Sequence, residues 1–441
     1  MTVAGDTTEL IQQLIRNACV NDGTPDSGHE TRSVETLAAF LQHPGVELRR
    51  YEPHPGRGSL VLRIEGREPH APSLHLMGHL DVVPVNAEGW QRDPFAGELV
   101  DGEVWGRGAI DMLAVTASMA VSIRELLRAG FRPRGTLVYS AMADEEALGT
   151  YGAAWLTENA WDDVRTDHLL TEFGGARLPL PGGDGPLLPV SSGEKGSHWL
   201  QLRVRGRPGH GSMPYRTDNA LTKAAEAVSR IGSYRPPVEL HDLWQRSVTA
   251  LGLPASLARD PAALDAALAD LPLGLARMVH AGTRTTFTPT VIRGGTKTNV
   301  IPDNVEILVD VRTLPGHERD EVHEMLADAL GDLREVVEIT GEGDNVATAS
   351  PLDTSLWDTL TGVTRRLVPG ATPVPFMLVG ATDARFFRRK GVVAYGYGLY
   401  SARIPFNEFV AMFHGNDERV DVASLELMTQ LWEGIAREFV G

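Results

Sequence analysis

The pattern of apolar and polar positions divides the chain into two kinds of region. In residues 8–172, short apolar runs alternate with stretches whose apolar residues recur at helical spacing, and the same pattern returns in residues 356–439. The predicted strands of the first stretch are 59–66, 73–79, 135–143 and 168–172, and the predicted helices are 8–42, 109–127 and 150–159. Such alternation predicts an α/β fold with a mostly parallel sheet and helices on both faces.

The segment between these stretches has a different pattern. Strands are predicted at 199–206, 286–293, 305–313 and 335–340, with helices at 219–231 and 317–330 and an Ala/Leu-rich helical insert at 240–280. This order predicts a small α+β, ferredoxin-like domain inserted into the first one. We therefore expect a catalytic domain of residues 1–195 and 343–441, and an inserted lid or dimerisation domain of residues 196–342. The Gly- and Pro-rich segment 172–196 is predicted to be the connection, and Asp218 to cap helix 219–231.

Composition narrows the class of protein. The chain has 441 residues, enough for two domains, and 41 basic against 58 acidic residues leave a net charge of −17. That balance argues against nucleic acid and anionic membranes as partners. The N-terminus lacks a signal-peptide pattern, and the single cysteine excludes an internal disulfide framework, so a cytoplasmic protein is expected.

Residues able to bind metal follow several of the predicted strands. They are His79 with Asp81, Asp111, the triplet Asp144-Glu145-Glu146, Glu172 and, in a late loop, His414. Because ligands of open α/β sheets bind at the carboxyl ends of strands, we expect these side chains to converge. Two histidines and three carboxylates, one of them bridging, can hold two zinc-like ions that clamp a hydroxide.

Neighbouring residues suggest supporting roles. Asp81 lies two positions after His79 on the same strand face, where it can orient the imidazole. Glu146 can bind metal while Glu145 takes the proton from the attacking water as general base. Each residue alone has a simpler explanation, such as a core histidine or a helix cap. Together they favour a metal site, because so many carboxylates at apolar strand ends would repel one another without a cation.

Several longer strings resemble the M20 metallopeptidases, a family that includes succinyl-diaminopimelate desuccinylase, acetylornithine deacetylase, aminoacylase-1 and glutamate carboxypeptidase. The strings are "GHLDVVP", "WGRGAIDM", "ADEEALGTYGA", "GHGSMP", "NVIPD" and "FHGNDERV", and the resemblance extends over about residues 8–440. It implies that Asp111 bridges two metals, that His79 and Glu172 complete one site, and that Glu146 and His414 complete the other.

The resemblance also implies roles in the inserted domain. His210 in "GHGSMP" matches the lid histidine that polarises the scissile carbonyl, and Asn299 and Arg312 match residues that hold the substrate carboxylate. Thr382 in "GATDARFF" is a further substrate-binding candidate, although this string departs from the usual "GGTDAR" form. The sequence does not decide whether the protein forms a homodimer through the lid domain. It also does not decide whether His210 acts in its own subunit's site or in that of a partner.

These implications favour a dinuclear metallo-amidohydrolase. We expect it to cleave an amide bond of a small N-acyl amino acid or dipeptide that carries a carboxylate. Zn²⁺ is the expected ion, with Co²⁺ and Mn²⁺ as alternatives. An aminopeptidase or dipeptidase that recognises a free amine is the alternative within the enzyme class, and a catalytically silent metal- or ligand-binding homologue is the alternative outside it. The paired glutamates and the carboxylate-binding residues argue against a phosphoesterase.

Overall fold

A computed structural model describes residues 3–180, 185–343 and 345–441. Met1, Thr2, residues 181–184 and Asp344 lie outside the described residues, and with them part of the predicted connection 172–196 and of the predicted domain boundary at 343.

The helices of the described chain begin and end as follows: α1 Val3–Arg16, α2 Thr31–Leu41, α3 Leu113–Arg128, α4 Ala153–Asn159, α5 Trp161–Val164, α6 Ala220–Ser233, α7 Asp242–Ala250, α8 Pro261–Ala267, α9 Leu273–Gly282, α10 Arg319–Leu330, α11 Ser355–Leu367, α12 Ala384–Arg388, α13 Phe406–Met412 and α14 Val422–Phe439. The strands are β1 Leu48–His54, β2 Arg57–Ile64, β3 Leu74–His79, β4 Glu98–Val100, β5 Glu103–Trp105, β6 Leu137–Met142, β7 His168–Thr171, β8 Leu187–Glu194, β9 Gly196–Ser197, β10 Leu200–Arg205, β11 Gly209–His210, β12 Thr286–Gly294, β13 Val300–Ile301, β14 Asn304–Thr313, β15 Val337–Glu342, β16 Thr348–Ala349, β17 Thr372–Leu378, β18 Val393–Gly396 and β19 Arg419–Asp421.

A larger sheet forms the centre of the fold, with the strand order β1-β2-β6-β3-β7-β18-β8-β16 and β17 beside β8. The four central strands β6, β3, β7 and β18 run parallel, and β17 pairs parallel with β8, whereas the pairs β1–β2, β2–β6, β8–β18 and β8–β16 are antiparallel. In this register His79 lies opposite Met142, at the carboxyl ends of β3 and β6. The predicted mostly parallel sheet is confirmed, and each antiparallel pair includes a strand outside the central four.

Helices cover both faces of this sheet, as the near-continuous apolar strands predict. Leu137, Tyr139 and Ala141 of β6 pack into a core cluster that includes residues of α1, α2, α3 and α14. The alternate residues Val138 and Met142 pack on the opposite face with residues of α4 and α12. Both faces of β6 are therefore buried, which explains why its sequence is a continuous apolar run and not an alternation of apolar and polar residues.

A smaller sheet has the order β12-β14-β10-β15, with every neighbouring pair antiparallel. The side chains of one of its faces pack with residues of α6 and α10. This is the ferredoxin-like arrangement that the sequence predicts for the inserted region. The boundaries 196 and 342 of the predicted domain stay a prediction.

The prediction that residues 172–196 form only a connection is wrong for its second half. Residues Leu187–Glu194 form strand β8, which is buried along its whole length in the larger sheet. Its partners β16 and β17 lie far away along the chain, so no local pattern of the Gly- and Pro-rich segment indicates the pairing.

Three further details differ from the predictions. The predicted helix 8–42 is two helices, α1 and α2, separated by a loop. Helix α6 is capped by Asn219, whose side chain accepts a hydrogen bond from the Leu221 N–H, and not by Asp218. The helical insert 240–280 packs on β17 of the larger sheet, where the Ser247 hydroxyl donates to the Pro375 carbonyl over 2.5 Å.

Among the described residues no helix is both long and apolar enough to cross a membrane.

Candidate metal centre

Five residues from separate segments of the chain converge where the central strands of the larger sheet end. They are His79 at the end of β3, Asp111 before α3, Glu146 after β6, Glu172 after β7 and His414 after α13. All but His414 have side chains no more than 6% exposed, whereas the His414 side chain is 56% exposed. The structure thus brings together the whole set that the sequence singled out, with one open side.

Asp111 lies between the two histidines. Its Oδ1 is 3.3 Å from His79 Nε2, and its Oδ2 is 3.3 Å from His414 Nε2. Glu172 Oε2 lies 3.7 Å from the same nitrogen of His79, and Glu146 Oε2 lies 3.2 Å from that of His414. Two groups of three ligands therefore share one carboxylate.

The separations of these atoms fit divalent cations. Zinc binds nitrogen and oxygen at ~2.0–2.2 Å in tetrahedral geometry, so its ligand atoms lie about 3.3–3.6 Å apart. The four distances above, from 3.2 to 3.7 Å, match that spacing. Ligand atoms of His79, Asp111 and Glu146 all lie within 4.8 Å of one another, as do those of His79, Glu145 and Glu172. The donor set thus suits two zinc-like ions.

The electrostatics of the cluster also indicate a site for positive charge. Burial, reinforced by the charge of Asp111, raises the pKa of Glu146 to about 7, and burial raises the pKa of Glu172 to about 8. Hydrogen bonds to Asp111 and Glu146 raise the pKa of His414 to about 10. Carboxylates this close together repel one another when ionised, and nearby cations relieve that repulsion.

Asp81 connects the first histidine to the acidic turn after β6. Its carboxylate accepts the backbone N–H groups of Glu145 and Glu146 over 3.1 and 3.0 Å. Its backbone oxygen lies 2.9 Å from His79 Nδ1, and its Oδ1 lies 3.5 Å from the same nitrogen. Burial, with the nearby charge of Glu172, raises the pKa of Glu145 well above its usual value. Asp81 therefore contacts both the imidazole of His79 and the turn that carries Glu145 and Glu146.

A buried network behind the acidic turn was not predicted. Arg57 is 1% exposed and donates through Nη2 to Glu30 over 2.8 Å and to Asp144 over 2.6 Å. The Asn21 amide donates to Asp81 over 2.8 Å and to Asp144 over 3.2 Å. Asp144 has φ +71°, and this left-handed conformation starts the Glu145–Ala147 turn. These contacts hold Asp144 in a conformation that is unfavourable for most residues with a side chain.

Glu418 links the two loops that carry Asp111 and His414. Its carboxylate, which is fully buried, accepts three backbone N–H groups of residues 108–111 over 2.7–2.9 Å and the Arg107 guanidinium over 2.9 Å. The sequence analysis missed this residue, although it lies four positions after His414 in the same string. The sequence holds one indication of Glu418, because this string contains a second acidic residue to which no ligand role is assigned.

The residues predicted in the inserted region contact other partners than this cluster. His210 is exposed on the short strand β11, and its Nδ1 lies 2.7 Å from the Ser212 hydroxyl. Asn299 is exposed beside it, and Arg312 forms an ion pair with Asp310 over 2.7 Å on β14. Within the described part of the chain, no hydrogen bond or ion pair joins His210, Asn299 or Arg312 to the five ligands.

Thr382 lies in the loop between β17 and α12 and is buried. Its backbone N–H and its hydroxyl both donate to Glu194. The next residue, Asp383, is buried too, and burial raises its pKa to about 7. Its carboxylate lies close enough to Glu145 and His79 for their charges to interact. The sequence analysis named Thr382 and missed Asp383.

Comparison with known proteins agrees with this geometry. The family model described as peptidase family M20/M25/M40 matches residues 75–438. N-fatty-acyl-amino acid synthase/hydrolase PM20D1 of Xenopus tropicalis is 29% identical over 386 residues, which cover 86% of this chain and 74% of that protein. Succinyl-diaminopimelate desuccinylase of Maricaulis maris is 28% identical over 441 residues, covering 98% and 95% of the two chains.

A solved structure shows the same fold. The M20 family metallo-carboxypeptidase Sso-CP2 of Sulfolobus solfataricus superposes with a TM-score of 0.72 at 16% identity, covering 98% of this chain and 99% of its own. The family model spans most of the chain and includes all five converging residues. The chain therefore belongs to peptidase family M20/M25/M40 and is a hydrolase of that family.

Proposed function

We propose that the protein is a dinuclear, zinc-dependent amidohydrolase that cleaves small N-acyl amino acids or dipeptides carrying a free carboxylate. His79, Asp111, Glu146, Glu172 and His414 are its metal ligands. Glu145 is its general base, and Asp81 is the residue that positions His79. The observation that carries the proposal is the placement of the two Asp111 oxygens, each 3.3 Å from a different imidazole.

When bound, two divalent cations polarise the scissile carbonyl and lower the pKa of the attacking water. The chain's own contribution is proton transfer and orientation. Glu145 adjoins the ligand Glu146, and the backbone N–H of each is held by Asp81. Its raised pKa, caused by burial and by Glu172, suits a carboxylate that takes a proton from water and passes it to the leaving amine nitrogen.

Substrate binding is assigned to the inserted region and to Thr382. His210 is the donor to the carbonyl oxygen, and Asn299 and Arg312 bind the substrate carboxylate. Because His210 and Asn299 are exposed and make no recorded contact with the five ligands within the described residues, this assignment requires residues 196–342 to close over the larger sheet as a lid. Arg312 must then exchange part of its ion pair with Asp310 for the substrate.

The names of the two relatives support an N-acyl amino acid as the substrate class. One describes an N-fatty-acyl-amino acid hydrolase and the other a desuccinylase of diaminopimelate, and in both the acyl group is carried by an amino acid. A guanidinium and an amide in the lid suit the carboxylate that such substrates share.

The test is hydrolysis by Glu145→Gln, with zinc equivalents measured on the same samples. The substrates are N-acetyl and N-succinyl amino acids, and dipeptides with free amines. We expect the wild type to carry two zinc equivalents in the candidate metal centre and to cleave the blocked substrates. Glu145→Gln should keep its zinc and lose about 10²–10⁴-fold in kcat, the usual contribution of general acid–base catalysis. The matched control is Glu158→Gln, an exposed glutamate of α4, which should behave as wild type.

Each contrary outcome rejects a different part of the proposal. Wild-type kcat in Glu145→Gln rejects the base assignment. Cleavage of free-amine substrates alone makes the protein an aminopeptidase or dipeptidase. Failure of the wild type to bind zinc, cobalt or manganese makes it a silent homologue.

A further inference from the structure

A second group of metal-type ligands lies outside the candidate metal centre, beside the smaller sheet. It consists of His198, His323 and Glu342, and we name it the joint cluster. Sequence analysis ascribes no function to these residues. We propose that the joint cluster binds one divalent transition-metal ion, of which Zn²⁺ is the best match, and that the bound ion stabilises the connection between the two sheets.

The joint cluster lies where the chain passes between the two sheets. His198 falls between β9 and β10, directly after the first passage, and Glu342 is the last residue of β15, directly before the return. The two passages pair with each other, since the N–H of Ser197 donates to the Asn345 carbonyl over 2.8 Å and the N–H of Asn345 donates back over 3.0 Å. His323 comes from α10, which packs on the smaller sheet.

The ligand atoms converge on one point. His323 Nε2 lies 2.8 Å from Glu342 Oε1, and His198 Nε2 forms a short hydrogen bond with the same oxygen. The two imidazole rings are edge-to-face, with centroids 6.3 Å apart. Three donor atoms within 4.8 Å of one another, two imidazole nitrogens and one carboxylate oxygen, form the donor set of many zinc sites.

Burial of the cluster is graded in a way that suits a bound ion with access from solvent. The side chain of His198 is 5% exposed and that of Glu342 is 15% exposed, whereas that of His323 is 35% exposed. Two ligands are thus held in place before an ion arrives, and the third stands on the open side. An ion that binds there takes the place of the hydrogens that the imidazoles now share with Glu342.

The charges around the cluster favour an ionised carboxylate. Glu342 Oε1 lies within hydrogen-bonding distance of both imidazoles. Arg319 also approaches, with Nε 3.5 Å from Glu342 Oε1. Because the Arg319 side chain is 52% exposed, it can turn to solvent when a cation takes its place.

The experiment counts zinc equivalents on the full-length protein, so its readout does not depend on hydrolysis. Wild type, His323→Gln and Glu342→Gln are each dialysed to equilibrium against rising Zn²⁺, and bound zinc is measured. We expect His323→Gln and Glu342→Gln to bind one equivalent fewer than wild type, or to bind it at least tenfold more weakly. His70→Gln, an exposed histidine in a loop, is the matched control and should retain the equivalent.

A second arm separates the joint cluster from the candidate metal centre. His414→Gln should keep the zinc equivalent that His323→Gln loses. The difference between the absorption spectra of Co²⁺-loaded wild type and Co²⁺-loaded His323→Gln should correspond to a single bound ion. If both cluster variants bind as many equivalents as wild type with unchanged affinity, the proposal is overturned. Failure of the proposed hydrolytic function would not change this count, so the two proposals fail separately.

Discussion

The two parts of the candidate active site differ in how they are held. On the larger sheet, the five candidate ligands and Glu145 lie among buried contacts, because Asp81, Arg57 and Glu418 each hold several groups at once. On the smaller sheet, His210 and Asn299 stand exposed on short strands and loops. Under the proposed function, metal binding is therefore built into the folded chain, whereas substrate binding depends on a movement of the exposed part. The predictions below separate these two contributions.

The largest effect is expected for the shared carboxylate. Asp111→Ala removes the only carboxylate with oxygens within 4.0 Å of both His79 and His414 in the described structure, so we expect both zinc equivalents of the candidate metal centre to be lost and kcat/KM to fall by at least about 10⁴-fold. Metal analysis and kinetics on one sample test this. Retention of two tight equivalents in Asp111→Ala would contradict the bridging role.

A smaller effect is expected on the exposed part. His210→Ala should lower kcat by about 10²–10³-fold, the cost of losing one donor to a developing oxyanion. Its zinc content should equal that of wild type, because His210 makes no recorded contact with the ligands within the described residues. The matched control is His280→Ala on α9. Loss of metal in His210→Ala would show that the two parts are not independent.

Glu418 tests how far buried contacts set metal affinity. Glu418→Gln keeps the shape of the side chain but removes the charge that faces Arg107 and the 108–111 loop. Groups that orient metal ligands usually change affinity by 10–100-fold, so we expect weakening of roughly that size, measured by competition with a zinc chelator. Glu426→Gln, an exposed glutamate of α14, is the control and should leave the affinity unchanged.

The smallest expected effect is on the pH dependence of folding stability, and it arises from His75 in the core beneath the candidate ligands. Burial lowers the pKa of His75 to about 3, well below the value of about 6.5 in an unfolded chain. Between pH 6.5 and 3 the unfolded chain therefore binds a proton that the folded chain does not, so stability falls as the pH falls through this window. The contribution approaches about 1.4 kcal/mol per pH unit.

Urea unfolding of wild type and His75→Gln between pH 4 and pH 7 measures this contribution. The variant should show a shallower loss of stability on acidification, whatever its absolute stability at pH 7. Parallel curves would mean that His75 is protonated in the folded chain.

Much of the architecture could be predicted because its signals are local. The apolar run of β3 followed by His79, and the acidic triplet that follows β6, indicate ligands at strand ends without knowledge of any partner strand. The strand and helix order of the smaller sheet likewise predicts its ferredoxin-like form. Strand β8 could not be found this way, because its pairing with β16 and β17 is what makes it a strand.

The sequence by itself determined which residue types stand at the ends of which elements, since strand and helix periods depend on near neighbours along the chain. Only the tertiary structure decided which atoms meet: that each oxygen of Asp111 faces a different imidazole, that Glu418 holds the loop of Asp111, and that His198 and His323 share Glu342. The physical reason is that such contacts join residues far apart in the chain. Their geometry follows from the packing of whole elements and leaves no periodic signal in the sequence.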